Sequence, residues 1–184
     1  MKKNRAYISL DASNIHYYLR KAGWRIDWNK FRTLCKKYYK EPVIYYYEGV
    51  PSKAQYFDIH PGHSLNQFIK AKKDKLDYFK FLRSLSFKVR HKPVGRVYDN
   101  TTGAFKHKCN FDVELTIDAL DGMINYETFV LFSGDGDFIK LIKYLKGKGK
   151  KTVVIASAGR LSDNLGKTAN QVIFLENLAT DIKL

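Results

Sequence analysis

The sequence predicts an α/β fold built on a mainly parallel central sheet, and three observations carry that expectation. Short apolar runs without polar alternation recur at 6–10, 43–47, 129–132 and 152–156, as strands covered on both faces require. Between them lie longer stretches whose apolar residues return at helical spacing, with lysines on the opposite side. One stretch, TFVLFSGDGDF at 128–138, shows the whole unit: a buried strand, a tight acidic turn and the start of an amphipathic helix. At 184 residues the chain suits one domain, 1–184, able to bury about 70% of the surface its unfolded form exposes.

Residues 6–10 form the first strand, and Asp11 stands where it ends. Asp11-Ala12-Ser13-Asn14 opens a helix over 15–22 that Gly23 stops. Asp27 caps a second helix with one apolar face of Trp28, Phe31, Leu34, Cys35, Tyr38 and Tyr39. Pro42 restarts the chain as a strand over 43–47, which Gly49-Val50-Pro51-Ser52 breaks. Residues 53–63 read as a loop; His60, His63 and Asp58 lie close in it but lack the four placed ligands of a zinc site. A long helix spans 65–85, with Phe68, Ile69, Leu76, Phe79, Leu82 and Leu85 inward and Lys70, Lys72, Lys73, Lys75, Lys80 and Arg83 outward.

A strand begins at Phe87, and a basic β-hairpin follows, with Arg96-Val97-Tyr98 returning through 104–108 about the turn Asp99-Asn100-Thr101-Thr102-Gly103. The next helix covers 111–120, with Asp112 at its start and Gly122 at its end. Asp118 lies about 120° round that helix from Asp112, whereas Glu114 shares its face with Asp118. After the central strand and helix come a strand over 152–156, a loop at 157–159, a short helix from Ser162 through Lys167 and a last strand over 171–175.

Lys and Arg number 33 against 18 acids, a net charge of +15 that points to a polyanionic partner. From 70 to 108 there are twelve Lys or Arg and three acids, so the long helix and the hairpin concentrate the excess. Lys72, Lys73, Arg90, Lys92, Arg96, Lys106 and Lys108 are the candidate phosphate contacts, with Tyr98 and Phe105 for stacking. No run approaches the 18 or so apolar residues of a membrane span, so no spanning helix is expected, and nucleic acid is a simpler polyanionic partner than an anionic membrane surface. Cys35 and Cys109 are lone thiols, as in a reduced, cytoplasmic protein. A homodimer is compatible with these features.

If the strands run parallel, Asp11, Asp112, Asp135 and Asp137 meet at one rim of the sheet. Asp11, Asp112 and Asp135 also occupy positions suited to a helix cap. Two carboxylates about 4 Å apart repel by about 4 kcal/mol at an effective dielectric near 20, and a cation or a shared proton relieves this. Oxygen ligands select Mg²⁺ or Mn²⁺ over zinc. An acidic metal site within a basic protein is the charge pattern of a nuclease.

LDASN at 10–14, FDVELTIDAL at 111–120, VLFSGDGDF at 130–138 and VVIASAGRLSDNLGKTANQVIFL at 153–175 resemble the NYN domain family, the LabA-like branch of the PIN-like nucleases. The resemblance implies a PIN-like three-layer α/β/α sandwich and metal-dependent RNA cleavage. It also implies metal ligands at Asp11, Asp112, Asp135 and Asp137, with Asn14 assisting. Asp118 matches a recurrent acidic position, and it and Ser133 are secondary candidates. Members usually carry Lys-Gly-Val-Asp where this chain has Cys109-Asn110-Phe111-Asp112, with Lys108 one residue further back. RNA is the expected substrate; nothing here reads a 2′-hydroxyl, so DNA stands as a second polymer. The competing expectation is a nucleic-acid-binding module whose PIN-like site is catalytically weak or silent. An aspartyl-phosphate phosphatase fits less well, because Asp11 is followed by Ala12 and Ser13, with no second aspartate two residues on.

Overall fold

The computed structural model describes residues 3–101 and 103–184, with the side chains of Ala104 and Lys106 outside that description. In chain order the elements are β1 (Arg5–Asp11), α1 (Ala12–Ala22), α2 (Trp28–Tyr38), β2 (Lys40–Val50), α3 (Lys53–Ile59), α4 (Leu65–Ser84), β3 (Lys88–Pro93), β4 (Gly95–Asp99) and β5 (Ala104–Lys108). They continue as α5 (Asp112–Asp121), β6 (Thr128–Phe132), α6 (Ile139–Gly147), β7 (Lys151–Ala156), α7 (Asp163–Thr168), β8 (Gln171–Phe174) and α8 (Ala179–Ile182). Six strands form one sheet in the order β3-β2-β1-β6-β7-β8, parallel throughout. The antiparallel hairpin β4–β5 stands apart as a two-stranded sheet.

Alternation along the buried strands builds two cores, one on each face. Ala6, Ile8 and Leu10 of β1 join Ile44, Tyr46, Val130 and Phe132 against α1, α2, α4 and α8. Tyr7, Tyr45, Tyr47, Phe129, Leu131 and Val154 point the other way, against α5, α6 and α7. Helix, sheet and helix thus make three layers. Continuous apolar runs are the sequence consequence, since both faces of each strand are covered.

Several elements differ from the sequence reading. Residues 53–59 are a helix and not a loop, because Ser52 and Gln55 cap it reciprocally through side chain and backbone. On α4 only Phe79 and Leu82 are fully buried, while Ile69 and Leu76 are exposed. The end of α4 packs on the sheet edge beside β3, whereas Phe68 near its start meets the rings of Tyr56 and Phe57 in α3. Lys75, expected on the outer face, instead pairs with Glu48 of β2. Tyr38, expected in the core, is exposed because it closes α2. β2 also runs on through Gly49, where a Cβ would lie 2.6 Å from that of Cys109. That close approach holds the segment leading into α5.

Candidate metal centre

The chain leaves β1 for β2 and β3 on one side, and later occupies the other side with β6, β7 and β8. The order therefore reverses between β1 and β6, and a crevice opens there beyond the carboxyl ends of the strands. Leu10 pairs with Phe132, so the next residues, Asp11 and Ser133, stand side by side at that point. The Ser133 hydroxyl donates to Asp11 Oδ2 at 3.1 Å and accepts from the Asp135 backbone N–H at 3.2 Å. Asn14, in the first turn of α1, donates its amide to the same Asp11 oxygen at 2.7 Å. Asp11 also caps α1, accepting from the backbone N–H groups of Ser13 and Asn14.

Asp135 caps a single 3₁₀ turn, Gly136–Phe138, that leads into α6, and accepts from the Asp137 N–H at 3.0 Å. From the other side, α5 presents Asp112 at its first position. One carboxylate oxygen each from Asp112, Asp135 and Asp137 lies within 4.8 Å of the others. Asp11 stands outside that trio, joined to it through Ser133. Capping and gathering are thus the same geometry for Asp11 and Asp135.

Among the described residues no ion pair involves Asp11, Asp112, Asp135 or Asp137. Burial raises the Asp112 carboxyl above the ordinary aspartate range. A hydrogen bond from Asn110 opposes the rise, and the charges of Asp135, Asp11 and Asp137 add to it. Crowded oxygen donors with uncompensated charge fit a hard divalent cation.

The NYN domain model matches residues 5–176, a span that includes all four acids. The chain belongs to the NYN domain family. Its fold is accordingly PIN-like, of the kind nucleases use. The chain is similar to the low amplitude and bright protein LabA of Synechococcus elongatus, 26% identical over a 188-residue alignment that covers 99% of this chain and 89% of that protein. It also resembles a crystal structure of a protein of unknown function from Vibrio parahaemolyticus, with a TM-score of 0.73, 24% identity and full coverage of both chains.

Two features of this NYN site escaped the sequence reading. Asn110 clamps Asp112, donating from Nδ2 to Oδ2 at 2.6 Å and accepting the Asp112 N–H at 2.7 Å. The signal was the Asn two residues before a helix-opening Asp, an Asx turn lying within the stretch that departs from the family pattern. Neither Gly134 nor Gly136 of the acidic turn has a positive φ, so neither is required by the backbone conformation. Gly134 is there for space: a Cβ would lie 2.2 Å from the Arg160 carbonyl oxygen.

Asp118 points elsewhere, as its position on the helix requires. It takes a bidentate pair of hydrogen bonds from Arg90 and one from the Tyr47 hydroxyl. Glu114, on the same face, pairs with Lys92, whose ammonium also lies 4.7 Å from the centre of the Phe111 ring. Arg90 and Lys92 are therefore engaged in holding α5 against β3. Arg96 lies 4.0 Å over the exposed Phe105 ring, which meets Tyr98 edge-on. Lys72, Lys73 and Lys108 are exposed, and the Lys106 side chain lies outside the described residues. No helix among the described residues is long and apolar enough to cross a membrane.

Proposed function

We propose that this NYN domain is a metal-dependent ribonuclease that hydrolyses phosphodiester bonds at the acidic rim. Asp11, Asp112, Asp135 and Asp137 would hold Mg²⁺ or Mn²⁺. The observation that carries this reading is the meeting of three carboxylates, brought by two separate elements, within 4.8 Å of one another. A net charge of +15 around that acidic point supports a polyanionic substrate. When bound, the ion supplies Lewis acidity toward a phosphoryl oxygen and lowers the pKa of a water.

The chain's own side chains prepare the site. Asn14 and Ser133 both donate to Asp11 Oδ2, which fixes the plane of that carboxylate. Asn110 orients Asp112 through its two hydrogen bonds. The Asp137 N–H sets the direction of Asp135. Carboxylates held by their neighbours need little reorganisation when charge develops at the phosphate. Arg96, Lys108, Lys72 and Lys73 supply phosphate contacts that bring the strand to the rim, with RNA as the substrate and DNA as the second polymer.

The test is cleavage of matched single-stranded RNA and DNA in Mg²⁺, in Mn²⁺ and in chelator. RNA cleavage that requires the ion is the expected result. A wild-type protein that binds RNA yet cuts in neither ion is instead a silent binding module, and the proposal fails.

A further inference from the structure

The acidic crevice continues onto the loop that follows β7. An open cleft of about 420 Å³ there is lined by Asn14, Gly134, Asp135, Gly136, Arg160 and Ser162, among others. Arg160 is exposed and forms no ion pair among the described residues. Its guanidinium lies 4.3 Å from the centre of the Tyr17 ring, and that ring is 48% exposed. Tyr17 follows Asn14 by three residues on α1, so the ring and the amide that holds Asp11 share a helix face.

The loop that bears Arg160 is tied to the acidic turn. Gly134 admits the Arg160 carbonyl where no larger residue fits, the Ser162 N–H donates to the Gly134 carbonyl at 2.9 Å, and the Ala158 N–H donates to Glu176 at 3.1 Å. A guanidinium that stacks through its face keeps its in-plane N–H donors free for a phosphate. It is also preorganised, since the ring and the loop set its position before any ligand arrives.

We propose that Arg160, oriented by Tyr17, binds the backbone phosphate adjacent to the scissile one, and so sets the path of a single strand across the rim. This rests on the reading that a nucleic-acid strand reaches the acidic centre. Arg160 is then a binding residue and Tyr17 a positioning residue.

The experiment uses the full chain and a short single-stranded RNA with non-hydrolysable linkages, titrated by fluorescence anisotropy in Ca²⁺ across a range of salt. Arg160→Ala should weaken affinity about tenfold and flatten the salt slope by about 0.7, one phosphate's worth of counterions on a single strand. Arg160→Lys should recover part of the affinity. Tyr17→Leu should weaken binding while Tyr17→Phe, which keeps the ring, should not. Lys148 lies 5.5 Å over the Tyr144 ring at the opposite rim, so Lys148→Ala controls for a cation on an aromatic as such and should leave affinity within about twofold. Thermal melting checks that each variant is folded.

An unchanged affinity and slope in Arg160→Ala would overturn the inference, whether or not the wild type cuts RNA. A wild type that binds with the expected pattern but cuts nothing would keep the Arg160 subsite and remove the nuclease reading. A wild type that does not bind the strand would remove both.

Discussion

Gly134 is the smallest residue of the acidic turn and the one with least room for replacement. Gly134→Ala drives a Cβ against the Arg160 backbone and should cost about 3 kcal/mol, measured by chemical denaturation. Gly147 ends α6 with nothing within 4 Å of an added Cβ, so Gly147→Ala should be stabilising by about 0.5–1 kcal/mol. Asp135→Asn keeps size and much of the capping capacity while removing one charge from the crowded trio. Cleavage should fall by two or more orders of magnitude, about 3 kcal/mol of barrier, while RNA affinity holds or rises. Melting temperature should hold or rise too, because relieved repulsion offsets a cap contribution of about 1 kcal/mol. A purely structural Asp135 would show lower stability, with activity lost only in proportion to folded protein. Cys35 tests pH dependence: burial pushes its thiol up from 9.0 to about 12. The unfolded chain ionises first, so this group's contribution is intact below pH 9.0 and falls as pH rises toward about 12. Cys35→Ala should flatten the decline by about 1.4 kcal/mol per pH unit in denaturation curves taken through that window.

Helix α5 is placed by a match of spacings. Glu114 and Asp118 are four residues apart on a helix, about 6 Å along its axis. Lys92 and Arg90 are two apart on a strand, about 6.6 Å, and so share one face of β3. The two rows pair rung by rung. Asp118 is 15% exposed at its side chain but Arg90 is 53% exposed, which screens the pair. A double-mutant cycle of Arg90→Met and Asp118→Leu should give a coupling of about 1–2 kcal/mol, less than a fully buried pair. Because Asp112 opens the same helix, Asp118→Leu should also lower metal-dependent cleavage although it touches no metal ligand. Restoration of cleavage by raising the ion concentration would show that α5 had moved Asp112 and had not removed a catalytic group.

For the molecule as a whole, charge is distributed against the acid centre: a small negative rim in a protein of net charge +15. RNA affinity should fall steeply with salt, since released counterions supply much of it. Neutralising Lys72, Lys73, Arg96 and Lys108 should flatten the slope by about 0.7 for each residue that touches a phosphate. Neutralising Arg90 and Lys92 should cost stability and leave the slope nearly as it was, because their partners are Asp118 and Glu114. An unchanged slope in the fourfold variant would mark the hairpin and α4 as solvated faces only.

How much of this was legible in the chain follows from the range of each signal. Unbroken apolar runs report burial on both faces, so the strands of a mainly parallel sheet and the order of the acids along the chain are readable from local pattern, while the three-layer sandwich is what the family resemblance implies. The S-x-x-Q box at Ser52 was equally local, and α3 could have been read from it. Other decisions belong to tertiary structure alone. Ser133 and Asp11 are 122 positions apart, and only the reversal of strand order between β1 and β6 makes them neighbours. The inward set on α4 was misjudged because periodicity gives a helix its apolar face but not how much of its length meets a sheet. The requirement for glycine at 134 lies equally beyond local pattern, because the atom that excludes a Cβ belongs to Arg160, on another loop. The sequence by itself determined which residues are the candidates for the chemistry and on which elements they sit. The tertiary structure decided which acids share a centre, which is held apart in an ion pair, and which arginine faces the cleft, because those outcomes depend on contacts between segments that no local spacing encodes.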